Sequence, residues 1–345
     1  MTYKYDNVYV GGYSTVVGPY EKDGPLSKGF DKSYDNLYTG EKSWELSEVR
    51  LLTDSIDILL KKTHKDKKNI DLLISGDLLN QVTSSSYAAL KFDIPFFGIY
   101  SACASSTEGI ILGSSLIDGG KIKNCIAATS SHNMSSEKQF RNPTEYGAPK
   151  PKTATFTSTG GASIFLTNEK SNIKVESSTI GKVIDMGQTD PFNMGAVMAA
   201  AAGDTIYEHL KALKRDPSYY DLIVTGDLGV YGREILIDYM HTEYGLDISN
   251  NYDDCGTMLY DLSKQEEVMA GGSGPVCSAL VNYSKILPNM EKGKLDRVLF
   301  VATGALFSPT FVYQKENINS IAHAISLEAV RWCIYIHFCF VVSFV

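Results

Sequence analysis

The sequence predicts a duplicated α/β protein in which two halves, residues 1–170 and 171–328, each contribute one buried central helix. Three observations predict it. DLLISGDL at residues 71–78 returns as DLIVTGDL at 221–228, in each case an apolar run after an aspartate, closed by Gly-Asp. Such runs read as buried strands ending in a turn or a functional loop. GKIKNCIAAT at 120–129 resembles GKLDRVLFVAT at 293–303, with one extra residue in the second copy. Each of these strands follows a helix-like segment (residues 105–118 and 276–287) that has few charges and many small side chains, so another backbone can approach it closely. The repeats are about 150 residues apart, far too long for a solenoid.

In chain order, residues 44–62 come first as a one-sided amphipathic helix, with Leu46, Val49, Leu52, Ile56 and Leu59 on its apolar stripe. The first DLL strand and the small-residue helix 105–118 follow. Residues 130–159 form a long polar insertion containing Pro143, Pro149 and Pro151. Loops of that length are commonly binding loops. In the second half, Met194, Met198 and the alanines at 199–202 suggest a helix edge near a pocket, with core packing favoured over ligand lining, and residues 203–213 suggest a helix ahead of the second Asp-led strand. Helix then strand in both halves, joined by right-handed crossovers, predicts mostly parallel sheets.

Composition narrows the function classes. The chain has 345 residues, 32 Lys+Arg against 40 Asp+Glu, and a formal net charge of −8. With 43 % hydrophobic and 21 % charged residues it is neither disordered nor a small disulfide scaffold. Its mild acidity offers no basic footprint for nucleic acid. Six cysteines without CxxC spacing predict a reduced, cytoplasmic protein with no metal site, and the N-terminus shows no signal peptide. Residues 329–345 form an atypical tail. Its WCIYIHFCFVVSFV stretch is apolar but shorter than the roughly 20 residues that cross a bilayer. It reads either as a contact for a membrane or partner or as a changed reading frame, and the second is favoured.

Cys103 carries the chemistry. An apolar strand, FFGIY, runs into the small-residue turn SACASS, and the central helix starts there. A thiol at that point faces unsatisfied N–H groups and the positive end of a helix dipole, which lower its pKa. The same groups could hold an anion. The bland alternative is a small buried residue at a tight junction; the flanks and the duplicated architecture favour a site.

A cysteine at the start of a buried central helix in a duplicated α/β chain resembles the thiolase superfamily, including ketoacyl synthases. A narrower resemblance, to the stage V sporulation protein AD family, spans about residues 8–328. It is carried by GPYEKDGPL (18–26), FDKSYD (30–35), GDLLNQ (76–81), ATSSHN (128–133), QFRNPTEYG (139–147), KPKTATFTSTG (150–160), TDPFNMG (189–195), DDCG (253–256), AGGSG (270–274) and VATGALFSPT (301–310). The resemblance implies an αβαβα layered fold with two central buried helices, and a homodimer. It also implies a cytoplasmic protein at the forespore or spore inner membrane that binds dipicolinic acid, with Ca²⁺, beside membrane proteins of the same operon, and a link to spore germination. No cofactor is implied.

Read on that pattern, Cys103 occupies a nucleophile position whose partners are missing. GDLGVYG (226–232) has no histidine where ketoacyl synthases carry one, and AGGSGP (270–275) has neither Asn nor His. Binding is therefore expected rather than acyl transfer, an active acyltransferase using Cys103 being the alternative. Dipicolinate is a dianion, so both carboxylates need donors. The amides of Cys103, Ala104 and Ser105 are expected to take one. Arg141 is either a bidentate clamp for the other or an ordinary surface arginine. His132, Asn133 and Tyr146 could line the mouth or merely support the loop. Asp77, Asn80, Asp227 and Asp253–Asp254 could order the pocket, and Gly272 and Ser273 belong to the loop opening the second helix. Of the six histidines, His64, His209 and His241 read as solvated; only His132 and His323 fall in family-matching stretches.

Overall fold

The computed structural model describes residues 1–140 and 150–331. Arg141, Tyr146, Pro143, Pro149 and the tail from Trp332 onward lie outside the described residues.

The first half runs β1 (Thr2–Lys4), β2 (Tyr9–Val17), α1 (Pro19–Lys22), β3 (Lys32–Ser33), α2 (Trp44–Thr63), β4 (Leu72–Gly76), α3 (Thr83–Phe92), β5 (Phe96–Gly98), α4 (Ser105–Asp118), β6 (Asn124–Ser131), α5 (Asn133–Phe140), β7 (Phe156–Thr157) and β8 (Gly160–Thr167). The second runs β9 (Ile173–Ile180), α6 (Met194–Leu213), β10 (Leu222–Thr225), α7 (Gly229–Tyr244), β11 (Tyr252–Asp254), α8 (Cys255–Met258), β12 (Gly272–Ser273), α9 (Pro275–Val281), α10 (Leu287–Glu291), β13 (Arg297–Ala305), α11 (Pro309–Tyr313) and β14 (Ser320–Ala329). The polar insertion is thus partly built: it contains α5 and β7.

Strand order is β5-β4-β6-β8-β2 on one side and β11-β10-β13-β14-β9 on the other, and Tyr9 paired with Lys174 joins the two. Both runs have the same sense. β4 is parallel to β5 and β6, while β6–β8 and β8–β2 are antiparallel. β10 is parallel to β11 and β13, while β13–β14 and β14–β9 are antiparallel. The sheets are therefore mixed, not mostly parallel. From β6 to β8, and from β13 to β14, the chain turns back beside its own strand instead of crossing over.

The repeated aspartates have a structural cause. Asp71 accepts the Lys123 and Asn124 amides at 2.7 and 2.9 Å, and Asp221 accepts those of Asp296 and Arg297 at 2.6 and 2.9 Å. In each half the carboxylate opening the central strand therefore pins the start of its parallel neighbour.

Between the sheets lie α4, against β4, β6, β13 and β14, and α9, against β6, β8 and β13. α2 covers β2 and β8 from outside, and α6 covers β13 and β14. This is the αβαβα layering, with both central helices buried. α4 spans the residues expected of it, and its small face is needed: a Cβ on Gly113 would stand 3.0 Å from Leu166 and 3.1 Å from the Cys125 sulfur. The helix expected over 276–287 is instead α9, a π-turn (Asn282–Ile286) and α10. Pro288 has no N–H for the Ser284 carbonyl four residues back, and the helix widens there.

α2 runs from Trp44 to Thr63, capped by the Ser43 hydroxyl, which accepts the Leu46 amide at 3.2 Å. Leu52, Ile56 and Leu59 are buried as expected, but Leu46 is exposed and the buried face also takes in Ser47, Glu48 and Ser55. Acidic Glu48 on the inner face was not anticipated.

Candidate functional site

After β5 the chain makes a tight loop into α4. Ala102 sits at φ +49°, a left-handed conformation that costs a non-glycine residue about 1 kcal/mol or more. It is held there locally: Ser105 Oγ donates to the Ala102 carbonyl at 2.8 Å and accepts the Ser101 amide at 3.0 Å. From the other half, Gly304 of β13 backs the loop so closely that a Cβ on it would lie 2.3 Å from the Ser101 carbonyl oxygen.

This geometry alters the anion site expected at the helix start. The Ala104 and Ser105 amides donate to the Ser101 and Ala102 carbonyls at 3.0 and 3.2 Å, so this turn closes on itself and does not offer those two amides to a carboxylate.

Cys103, nearly buried, meets Asp227, which follows β10. Asp227 is fully buried. Its Oδ1 accepts the Thr303 hydroxyl at 2.7 Å; its Oδ2 accepts the Gly274 amide at 3.1 Å and the Ser273 hydroxyl at 3.3 Å. Burial, and then the Asp227 carboxylate, push the Cys103 thiol well above its ordinary value. The lowering expected from the helix dipole is outweighed, since desolvation and a facing anion both disfavour the thiolate. Burial also raises Asp227 to about 6, against hydrogen bonds from Cys103 and Thr303 that pull it down.

Beside them lies a cavity of about 40 Å³, walled by Leu78, Tyr100, Phe140, Met194 and Phe307. The Phe140 and Phe307 rings lie 5.4 Å apart. Ser136 and Glu137 of α5 reach its wall, and Glu137 pairs with Lys150 at 3.0 Å across the ends of the undescribed segment. Met194 lines the pocket, against the core packing favoured for it, while Met198 is core as favoured.

The structure brings together Cys103, Asp227 and Ser273 from the residues read in the sequence. Gly272 pairs in β12 with Phe156, one residue away from them, and Ala104 is buried behind the cysteine. Others do not join the site. Asp77 is buried but accepts the Leu79 and Ser85 amides at 2.9 and 2.8 Å, a scaffold role. Asn80 is exposed beside a separate groove. His132 is committed inward: its Nε2 donates to the Leu37 carbonyl at 2.8 Å, its Nδ1 accepts the Met134 amide at 3.2 Å, and burial lowers it to about 4. His323 accepts the Gly181 amide at 3.2 Å. His209, expected on the surface, is fully buried between Thr179 (2.8 Å) and the Tyr220 hydroxyl (2.7 Å), because α6 presses it against β9. Among the described residues, no histidine ring partners Cys103.

Sequence reasoning missed Thr303 and Gly274. The signal for Thr303 was present in the Ala-Thr that closes both repeat strands. It also missed Glu48, whose carboxylate accepts the Ser130 and Ser135 hydroxyls at 3.1 and 2.8 Å. Burial and the charge of Asp77 push Glu48 up to about 8.

Comparison with known proteins agrees with this architecture. The family described as Stage V sporulation protein AD matches residues 2–328. Stage V sporulation protein AD of Bacillus subtilis (strain 168) is 47 % identical over 321 residues, covering 93 % of this chain and 94 % of the relative. Among solved structures, 3-oxoacyl-[acyl-carrier-protein] synthase III from Aquifex aeolicus VF5 superposes with a TM-score of 0.57 at 13 % identity, over 93 % of this chain and 99 % of the other. Cerulenin-bound OleA from Xanthomonas campestris gives 0.58 at 14 %, over 93 % and 97 %. At such identities these two speak for the fold alone.

Proposed function

Since the chain belongs to the stage V sporulation protein AD family, a sporulation family on a thiolase-like fold, we propose that its Cys103 cleft binds a ligand and does not transfer acyl groups. The observation that carries this reading is the Asp227 carboxylate against the Cys103 thiol. An acyl-transfer cysteine needs a thiolate or a base that strips its proton. Here the neighbour is an anion that keeps the proton on sulfur.

The proposed ligand is dipicolinate as its calcium chelate. Free dipicolinate is a dianion and would face Glu137, with Asp227 behind Cys103 and Ser273, at a repulsive cost, whereas the chelate is neutral. Ca²⁺ takes six to eight oxygens, more than the chelator fills, so Glu137 on the cavity wall can supply one. A cavity of about 40 Å³ holds only a few waters on this measure. Entry therefore requires α5, with Phe140, to swing outward. The cargo is proposed to pass to membrane proteins beside which the protein works at the spore inner membrane. Among the described residues, no helix is long and apolar enough to cross a membrane itself.

Titration calorimetry at pH 7 tests this. Calcium dipicolinate is expected to bind saturably, with Glu137→Gln weakening it about tenfold. Absence of saturable heat would sink the reading. The rival, acyl transfer, draws on Asp227 near 6 as a conceivable proton acceptor. Stable labelling by acyl-CoA that disappears in Cys103→Ala would establish that rival instead.

The protein is further proposed to pair with a second copy. Among the described residues β5 pairs only with β4, so none of them covers its other edge; Phe97 on it is 54 % exposed, and Leu90 on adjoining α3 is 78 % exposed. An open edge flanked by apolar side chains invites strand pairing. Sedimentation is expected to give a dimer that Leu90→Glu with Phe97→Glu turns into a folded monomer. A wild-type monomer at micromolar concentration would refute it.

A further inference from the structure

Away from the Cys103 cleft, the surface carries a groove of about 420 Å³, within the ordinary size of small-molecule sites. One wall is the turn holding Lys28 and Gly29; the floor is the π-turn with Ser284 and Lys285; α10 and Lys292, which follows it, close the other side. Three lysines line it and no acid does.

That is an unusual gathering on a chain with eight more acids than bases. Some lysines elsewhere sit against an acid: Lys22 with Asp35, Lys62 with Asp31, Lys264 with Asp261. Among the described residues Lys28, Lys285 and Lys292 have no carboxylate partner. The acids nearest in sequence face other groups: Glu291 interacts with the Tyr13 hydroxyl, and Asp31 pairs with Lys62.

A second feature points to a ligand independently. Ser284 lines the groove, and its hydroxyl is shielded from solvent without a hydrogen-bond partner. Buried hydroxyls are rarely left so, because an unmade hydrogen bond costs more than a made one gains. This hydroxyl lies in the π-turn, a widened helical geometry found often at functional sites. Gly29 packs against the same turn: a Cβ there would lie 2.6 Å from the Ser284 carbonyl oxygen.

We infer that the groove formed by Lys28, Ser284, Lys285 and Lys292 binds a small oxyanion carrying two negative charges, a dicarboxylate or a phosphate. Three ammonium groups neutralise the charge and the Ser284 hydroxyl donates to one oxygen. The site stands apart from the Cys103 cleft, and its existence does not depend on what that cleft binds.

The test is lysine footprinting by amine acylation and mass spectrometry on the full chain, with a calcium chelator present. Dipicolinate and inorganic phosphate serve as separate probes. At least one is expected to protect Lys28, Lys285 and Lys292 together, with an affinity that falls as salt rises. Lys285→Gln with Lys292→Gln, both exposed and tolerant of change, is expected to weaken that probe about tenfold. Protection by dipicolinate alone identifies a dicarboxylate site, and protection by phosphate alone a phosphate site. The inference is overturned if neither probe protects the three lysines, or if the double variant binds like the wild type.

Discussion

Gly304→Val is expected to lower the thermal midpoint by about 5 °C and to abolish ligand binding at the Cys103 cleft at temperatures where the variant is still folded. The β13 backbone at Gly304 leaves no space: the added Cβ would fall 2.3 Å from the Ser101 carbonyl oxygen and 3.1 Å from the Ala104 nitrogen. Both contacts are backbone, so no flexible side chain can yield. Overpacking of this kind costs about 3 kcal/mol. The strain falls on a loop that already holds Ala102 at positive φ, and relief moves Cys103 away from Asp227. Thermal melts and calorimetry with calcium dipicolinate read the two effects separately. A variant that melts and binds like the wild type would show that the two halves do not fix each other's geometry here.

How much of this was legible in the chain depends on the range of the interactions. The start and end of α4 followed from small residues flanked by Gly119 and Gly120, and the two Asp-led strands from their repetition. Cys103 was legible as a site because helix starts are local. Its protonation was not, because the deciding carboxylate arrives from the other half. His209 was misread for the same reason: on its own helix it looks solvated, and only Thr179 and Tyr220 reveal why it is buried. Pro288 lies just past the segment expected as one helix, 276–287, and the break inside it was not expected. What the proline could not reveal was that a π-turn, and not a stop, would result. Glu21 and Glu48 look like ordinary surface acids until Thr159, Tyr260, Ser130 and Ser135 fold around them.

Those buried acids set the pH response, and a loss of stability between about pH 6.5 and 8 is expected. Burial raises Asp227 from 3.8 to about 6, Asp254 from 3.8 to about 7, Glu21 from 4.5 to about 7 and Glu48 from 4.5 to about 8. Between its ordinary and its raised value each group keeps a proton in the folded chain that the unfolded chain has released. The folded state then binds more protons, and stability falls as pH rises. Buried histidines act oppositely. His132 and His323 are lowered from 6.5 to about 4 and His209 to about 3, chiefly by desolvation. Below pH 6.5 the unfolded chain takes up protons that these rings refuse, so their contribution rises with pH and ends there. The two groups oppose each other from about pH 4 to 6.5, which gives a shallow plateau. Above it only Asp254, Glu21 and Glu48 still titrate, and the slope is on the order of 2 kcal/mol per pH unit. Denaturant unfolding at pH 5.5, 6.5, 7.5 and 8.5 measures it. Glu21→Gln, which keeps an uncharged side chain of the same shape, is expected to make the fall above pH 6.5 shallower and to tilt the plateau upward by about 1.4 kcal/mol per pH unit between about pH 4.5 and 6.5. Stability that climbs from pH 6.5 to 8 would mean that these carboxyl groups are already ionised in the fold and that burial does not hold their protons.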